Sequence, residues 1–321
     1  MLSVSFKKTV LDNGLNVITH VDNSLPIIAV NVWYHVGSKN EQLGKTGFAH
    51  LFEHVMFEGS KNHNKDYFEP LQKIGAGING STTNDRTNYW ENIPSNYLDL
   101  ALWLESDRMG FLLEALDQER FDLQREVVKN ERRQSYENQP YGIAQLKLQD
   151  ALFPSPHPYH WPTIGSQEDL NKAELSDVKD FFRHFYHPSN ASITIAGDID
   201  HKKVLEKIKL YFGDLEPGQN IDRINRMDSS LSGENRIEIT DSVPFPRIYM
   251  AWPTVPNFTK TQAALDILSI ILADGKSSRL SKKMVHESQM AHDVEAYHHS
   301  QEISGEFHII ATANPTHSLK N

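Results

Sequence analysis

Residues 50–54 read His50-Leu51-Phe52-Glu53-His54 and lie inside an apolar, helix-like run from Phe48 to Phe57. Four residues apart, His50 and His54 are neighbours on one helix face. Two imidazoles so placed can grip a single zinc ion. Glu53 borders that face; it is too close in sequence to ligate comfortably, but it can hydrogen-bond the metal's water. The order H-x-x-E-H inverts H-E-x-x-H, in which the glutamate stands on the other side of the ligand pair. The plainer alternative is an incidental histidine pair in a chain that holds 16 histidines. Against it stands the cost of two imidazoles and a carboxylate on an otherwise apolar helix unless they are paired or metal-bound.

A catalytic zinc usually takes three protein ligands and a water, so the third ligand must come from another element. Gln118 to Tyr136 reads as a helix. At about 100° per residue, Gln124 and Glu131 fall within about 20° of one face, while Glu126 and Glu131 project about 140° apart. Glu131 is therefore the candidate ligand, with Gln124 as its neighbour. On helix geometry alone, a solvated charged face of Glu126, Glu131, Arg132 and Arg133 is the simpler reading.

The elements that must position these residues can be read along the chain. Thr9–Leu11 and Leu15–His20 flank Asp12-Asn13-Gly14, a hairpin signal. Ile27 to Val36 reads as a longer strand, Asp66 to Lys73 as a short helix, and Ile78 to Ile93 alternates like a strand. Tyr97–Leu113, Leu175–Phe185 and His201–Phe212 read as helices, and Ala191–Ala196 as a strand. Linker chemistry is concentrated between Gly213 and Asn235. The domains expected are residues 1–220 with the metal motif, a linker over 221–235, and a second domain over 236–321. Within the second, Arg236–Thr240 and Arg247–Trp252 read as strands and Thr259–Leu272 as a helix, echoing the order at the start of the chain. The echo predicts an internal repeat whose second copy is cut short; the plainer alternative is a small separate αβ domain.

Composition bounds the rest. The chain has 321 residues, 39% hydrophobic and 23% charged, which predicts an ordinary soluble protein. A formal net charge of −10 argues against non-specific nucleic-acid binding. No apolar run approaches the roughly 18–20 residues of a membrane span. Met1 to Thr9 has no apolar leader core; a periplasmic location is expected only if a leader was removed, and the compartment is otherwise open. With no cysteine, thiolate nucleophiles and cysteine zinc sites are excluded. His157 and His160 read as turn and packing residues, and His292, His298, His299 and His308 as a half-exposed surface rather than a second metal site. Gly275-Lys276-Ser277-Ser278 lacks the earlier glycine of a phosphate loop, and there is no Gly-x-Ser-x-Gly elbow.

The sequence resembles the M16 metallopeptidases, the family of pitrilysin, insulin-degrading enzyme and the mitochondrial processing peptidase. Seventy-six residues separate His54 from Glu131, the family's distance between its motif and its ligand glutamate. The flanks match as well: Val36-Gly37-Ser38, Gly44 to His50, Glu53 to Ser60, Asn79-Gly80-Ser81-Thr82 before Asp85 to Tyr89, His157-Pro158-Tyr159, Ile164-Gly165, and Tyr186 to Asp198. The resemblance covers nearly the whole chain.

It implies an α+β fold of tandem M16-type domains, each a mostly antiparallel sheet with helices packed on one face. It implies one Zn²⁺ held by His50, His54 and Glu131, with Glu53 as general base. Asn79, Gly80, Ser81 and Thr82 would form the substrate-facing strand, pairing their backbone with an extended peptide. The activity implied is that of a zinc-dependent endopeptidase acting on peptides or unfolded segments. A second M16 half, from another copy, a partner subunit or further sequence, would close a chamber and supply oxyanion donors, so this chain alone is expected to be a poor peptidase. One position departs from the pattern: Gln124 stands where several members carry glutamate. It can orient a neighbour by hydrogen bonding but adds no charge, and Gln124→Glu is expected to be tolerated. The rival readings are a binding or assembly subunit, which the intact H-x-x-E-H set argues against, and a hydrolase of non-peptide amides using the same chemistry.

Overall fold

A computed structural model describes residues 4–227, 229, 231–315 and 317. In chain order the elements are β1 (Lys7–Val10), β2 (Asn16–Val21), β3 (Ile27–Tyr34), α1 (Phe48–Val55), α2 (Phe68–Gln72), β4 (Gly77–Thr82), β5 (Thr87–Pro94), α3 (Leu98–Ala115), α4 (Gln118–Arg132) and α5 (Gly142–Leu152). Then come α6 (Gln167–Lys172), α7 (Leu175–Phe185), β6 (Ala191–Gly197), α8 (His201–Phe212), β7 (Arg247–Thr254), α9 (Lys260–Ala273), β8 (Ala291–Ser300) and β9 (Gly305–Ala313).

Two compact units result. The first takes the chain up to Glu131 and again from Thr163 to Asp222; the second takes Arg132–Pro162 and the chain from Arg223 onward. The passage at 222–223 falls within the linker read over 221–235. The stretch expected as one domain over 1–220 is not continuous, because 132–162 belongs to the second unit.

The first unit is built on a six-stranded sheet in the order β1-β2-β6-β3-β5-β4. Only the β2–β6 pairing is parallel; the other four are antiparallel. The period-2 rule shows in β3, where Ile28, Val30, Val32 and Tyr34 are buried while Ile27 and Trp33 on the opposite face are exposed. One sheet face thus carries the core, and α1, α2, α3 and α8 lie against the sheet. The run from Ile78 to Ile93 is two strands rather than one. The chain reverses at 83–86, where the Thr83 N–H bonds the Arg86 carbonyl, and the period-2 pattern continues on both sides of the reversal.

The second unit holds a three-stranded antiparallel sheet, β7-β9-β8, with α9 against β8. Leu152, Phe153, Tyr159 and Ile303 form a buried cluster with Ile224 and Ala251 packed on it. The strand expected at Arg236–Thr240 is absent: the segment is irregular and exposed, and β7 takes its described ladder from β9 alone. Among the described residues no helix is long and apolar enough to cross a membrane.

Candidate metal centre

Helix α1 starts at Gly47, whose left-handed φ of 91° suits a residue without a side chain at the turn into the helix. Phe48, Ala49, Leu51, Phe52 and Val55 are buried, which leaves His50, Glu53 and His54 on the remaining stripe. Carboxylates hold the start of the helix and the loop that follows it. Ahead of it, buried Glu41 accepts the Gly47 and Ala49 N–H groups, and Asp169 accepts the N–H and hydroxyl of Thr46. Behind it, buried Asp107 accepts the Ser60 hydroxyl and the N–H groups of Asn62 and His63.

On this frame His50 and His54 stand with ring centroids 4.9 Å apart. Glu131, at the far end of α4, brings Oε2 to 3.3 Å from His54 Nε2 and 3.8 Å from His50 Nε2. Two ligands of a tetrahedral zinc, each about 2.0–2.1 Å from it, stand about 3.4 Å apart, so this donor set fits such an ion. Among the described residues these three form the one group of histidine and acidic side chains close enough to hold a metal. Burial first, then the charge of His54, push His50 down to about 4 against the pull of Glu131. It is therefore neutral at pH 7, the form that ligates metal. The hydrogen bond with His54 holds Glu131 below its ordinary carboxylate value. Glu126 points elsewhere, its carboxylate 2.5 Å from Lys129 Nζ.

Glu53 is half-buried, and burial raises its carboxyl above the ordinary value. The Thr82 hydroxyl, which donates to Oε2 at 2.6 Å, works in the opposite direction. Strand β4 is an edge of its sheet, so Asn79, Gly80, Ser81 and Thr82 lie on a strand with one free side. Gly80 and Thr82 share the face that carries Tyr89 and Thr87, whereas Asn79 and Ser81 lie on the other. Gln124 donates through its amide to Glu58, three residues past α1; among the described residues that bond is not to one of the three metal-site side chains.

Sequence reasoning missed Glu41, Asp107 and Arg108. Arg108 is fully buried, pairs with Glu105, and lies over the rings of Tyr67 at 4.1 Å and Tyr89 at 4.3 Å. One signal was available: Glu105, Asp107 and Arg108 interrupt an apolar helix, where ionised groups are costly unless paired. The other histidines singled out in the sequence make local hydrogen bonds and ion pairs. His157 accepts the Tyr159 N–H, and His160 lies 2.8 Å from the Phe153 carbonyl. His298 sits between Asp266 and Thr254, and His299 and His308 flank Glu306; His292 and His299 are exposed, but His308 and the His298 side chain are buried, so the four are not the half-exposed surface expected.

Residues 16–156 match the family model described as Insulinase (Peptidase family M16), and residues 172–320 match the Peptidase M16 inactive domain. The zinc protease PqqE of Helicobacter pylori is 34% identical over 316 residues, covering 95% of this chain and 69% of that protein. A crystal structure of a protease from Helicobacter pylori aligns with a TM-score of 0.87 at 30% identity, covering 99% of this chain and 77% of the other. The periplasmic protease PqqL from Escherichia coli aligns at 0.76 and 21% identity, with this chain covering 36% of it.

Proposed function

This chain belongs to peptidase family M16, and on that premise we propose that it is a zinc-dependent endopeptidase that cleaves peptides or unfolded segments. The observation that carries the reading is the convergence of His50 and His54 on α1 with Glu131 on α4, their donor atoms within 4.8 Å of one another, with Glu53 between the two histidines on α1. A zinc ion held by those three residues would polarise the scissile carbonyl and acidify the attacking water. Glu53 takes the proton from that water and delivers it to the leaving amine. The substrate lies as an added strand on the free edge of β4, along Asn79, Gly80, Ser81 and Thr82.

The Glu131 side chain is 40% exposed, so the site is open in this chain. We assign its closure to a second M16 half, from a partner subunit, another copy or further sequence, which would exclude water and supply oxyanion donors. The chain spans 69% of PqqE and 36% of PqqL, which leaves room for such material in relatives.

The test is cleavage of a quenched peptide library with and without chelator, alongside Glu53→Gln and with zinc quantified. Chelator should abolish cleavage. Glu53→Gln should keep zinc while losing a factor on the order of 10² or more in rate. Chelator-resistant cleavage, or a Glu53→Gln variant as active as the parent, would overturn the reading. The match of 172–320 to an inactive domain favours one second reading, an assembly subunit with little activity alone. Zinc binding without cleavage, even alongside its partner half, would support that instead.

A further inference from the structure

A glutamate acting as general base has a flexible side chain, and one carboxylate oxygen has to be aimed at the water. We propose that Thr82 is a positioning residue that fixes the Glu53 carboxylate and ties it to the strand on which substrate lies; this rests on the peptidase reading above.

The Thr82 hydroxyl donates to Glu53 Oε2 at 2.6 Å. A hydrogen bond to a carboxylate is short and strong. Among the described residues Thr82 is the hydrogen-bond donor to Glu53, so Oε1 is left to take the proton. Threonine is stiff at its first side-chain torsion, which means the hydroxyl goes where the β4 backbone puts it.

That backbone is itself pinned. Thr82 pairs with Thr87 across the hairpin. Arg86 Nη1 donates to the Ser81 carbonyl at 2.7 Å and to Asn88 Oδ1 at 2.6 Å, and the Ser81 hydroxyl donates to Asn88 Oδ1 at 3.0 Å.

Gly80 adds a second contact on the same strand face. A Cβ placed there would lie 3.2 Å from Glu53 Cγ and 3.1 Å from the Tyr89 ring. The strand therefore approaches the base through a missing side chain at 80 and a hydroxyl at 82. One rigid hairpin then sets both the register of an extended peptide on its outer edge and the direction of the base on its inner face. Misplacing a reacting group by about 1 Å can cost a factor of about 10² in rate.

The experiment is steady-state cleavage of a quenched peptide by full-length, zinc-loaded protein, comparing the parent with Thr82→Val, Thr82→Ala, Thr82→Ser and Glu53→Gln. Zinc content and melting temperature are measured for each. Thr82→Val keeps the shape and removes the donor; kcat should fall by about 10- to 100-fold, with KM within about twofold and zinc unchanged. Thr82→Ser keeps the hydroxyl and should recover most of the rate. Parental kcat in Thr82→Val, a change in KM alone, or a Thr82→Ser variant as impaired as Thr82→Val would overturn the proposal. Loss of zinc or of the fold in both Thr82→Val and Thr82→Ala would also overturn it, since Thr82 would then be merely structural. If Glu53→Gln turns over like the parent, the failure lies with Glu53 as base, whatever Thr82 does.

Discussion

The Glu41 carboxylate accepts the backbone N–H of Ala49 at 2.8 Å, one residue before His50, and that of Gly47 at 2.9 Å. Both donors belong to the start of α1, where amides have no partner inside the helix. Glu41→Ala would leave them buried and unpaired, at about 1–3 kcal/mol for each such group. The loosened helix should also bind zinc more weakly. Urea unfolding in chelator and a zinc titration check the two effects; a variant as stable as the parent would mean water replaces the carboxylate without loss.

Glu41 also predicts a pH dependence. Burial pushes its carboxyl up to about 8, against the opposing pull of the Ala49 and Gly47 N–H groups. A carboxyl whose folded value lies above its unfolded value of about 4.5 favours the protonated folded state. Its stabilisation is complete below about 4.5 and is lost as pH rises through about 8. Thermal melts of the metal-free protein between pH 5 and 9 should decline more steeply than those of Glu41→Gln, which cannot titrate. Parallel curves would count against a buried, titrating Glu41.

Glu131 and Glu126 sit on one helix but in different surroundings, the first beside His54 and the second beside Lys129. Glu131→Ala should lower zinc affinity by at least a factor of about 10–100, the scale seen when even an outer partner of a metal site is lost. Glu126→Ala should leave it within about twofold. Equal losses in competition titrations would remove Glu131 from the donor set.

Gln124→Glu tests a contact that the helical wheel did not reveal. The amide of Gln124 donates to Glu58, so a carboxylate there would face another carboxylate. Such a pair cannot ionise freely, and one member must take up a proton or move away. The change should destabilise the protein above neutral pH, contrary to the tolerance expected from sequence. Glu58→Gln should rescue it, with a coupling of about 0.5–3 kcal/mol in a double-mutant cycle of melting or urea data. Additive effects would show that the two side chains do not interact.

What the sequence determined by itself is what depends on near neighbours. His50, Glu53 and His54 share a helix because the apolar residues around them recur with helical spacing, and that periodicity survives in isolation. The hairpin at Asn13-Gly14 and the helices at 175–185 and 201–212 were legible for the same reason. The reversal at 83–86 was hidden because Thr83-Asn84-Asp85-Arg86 contains no glycine and the alternation runs through it. Arg236–Thr240 has strand-like residues but gains no neighbouring strand, and a strand is stable only where its backbone is paired. Glu131 could be turned toward the right side of its helix by counting residues, yet whether its carboxylate lies 3.3 Å from His54 is settled only when the fold brings the end of α4 to His54. Glu41 left no mark that short-range reading could find, and Thr82 was read as part of the substrate-facing strand but not as a partner of Glu53. Their roles arise because a carboxylate needs donors and an amide needs an acceptor, and only the folded chain brings Glu41 to Ala49 and Thr82 to Glu53.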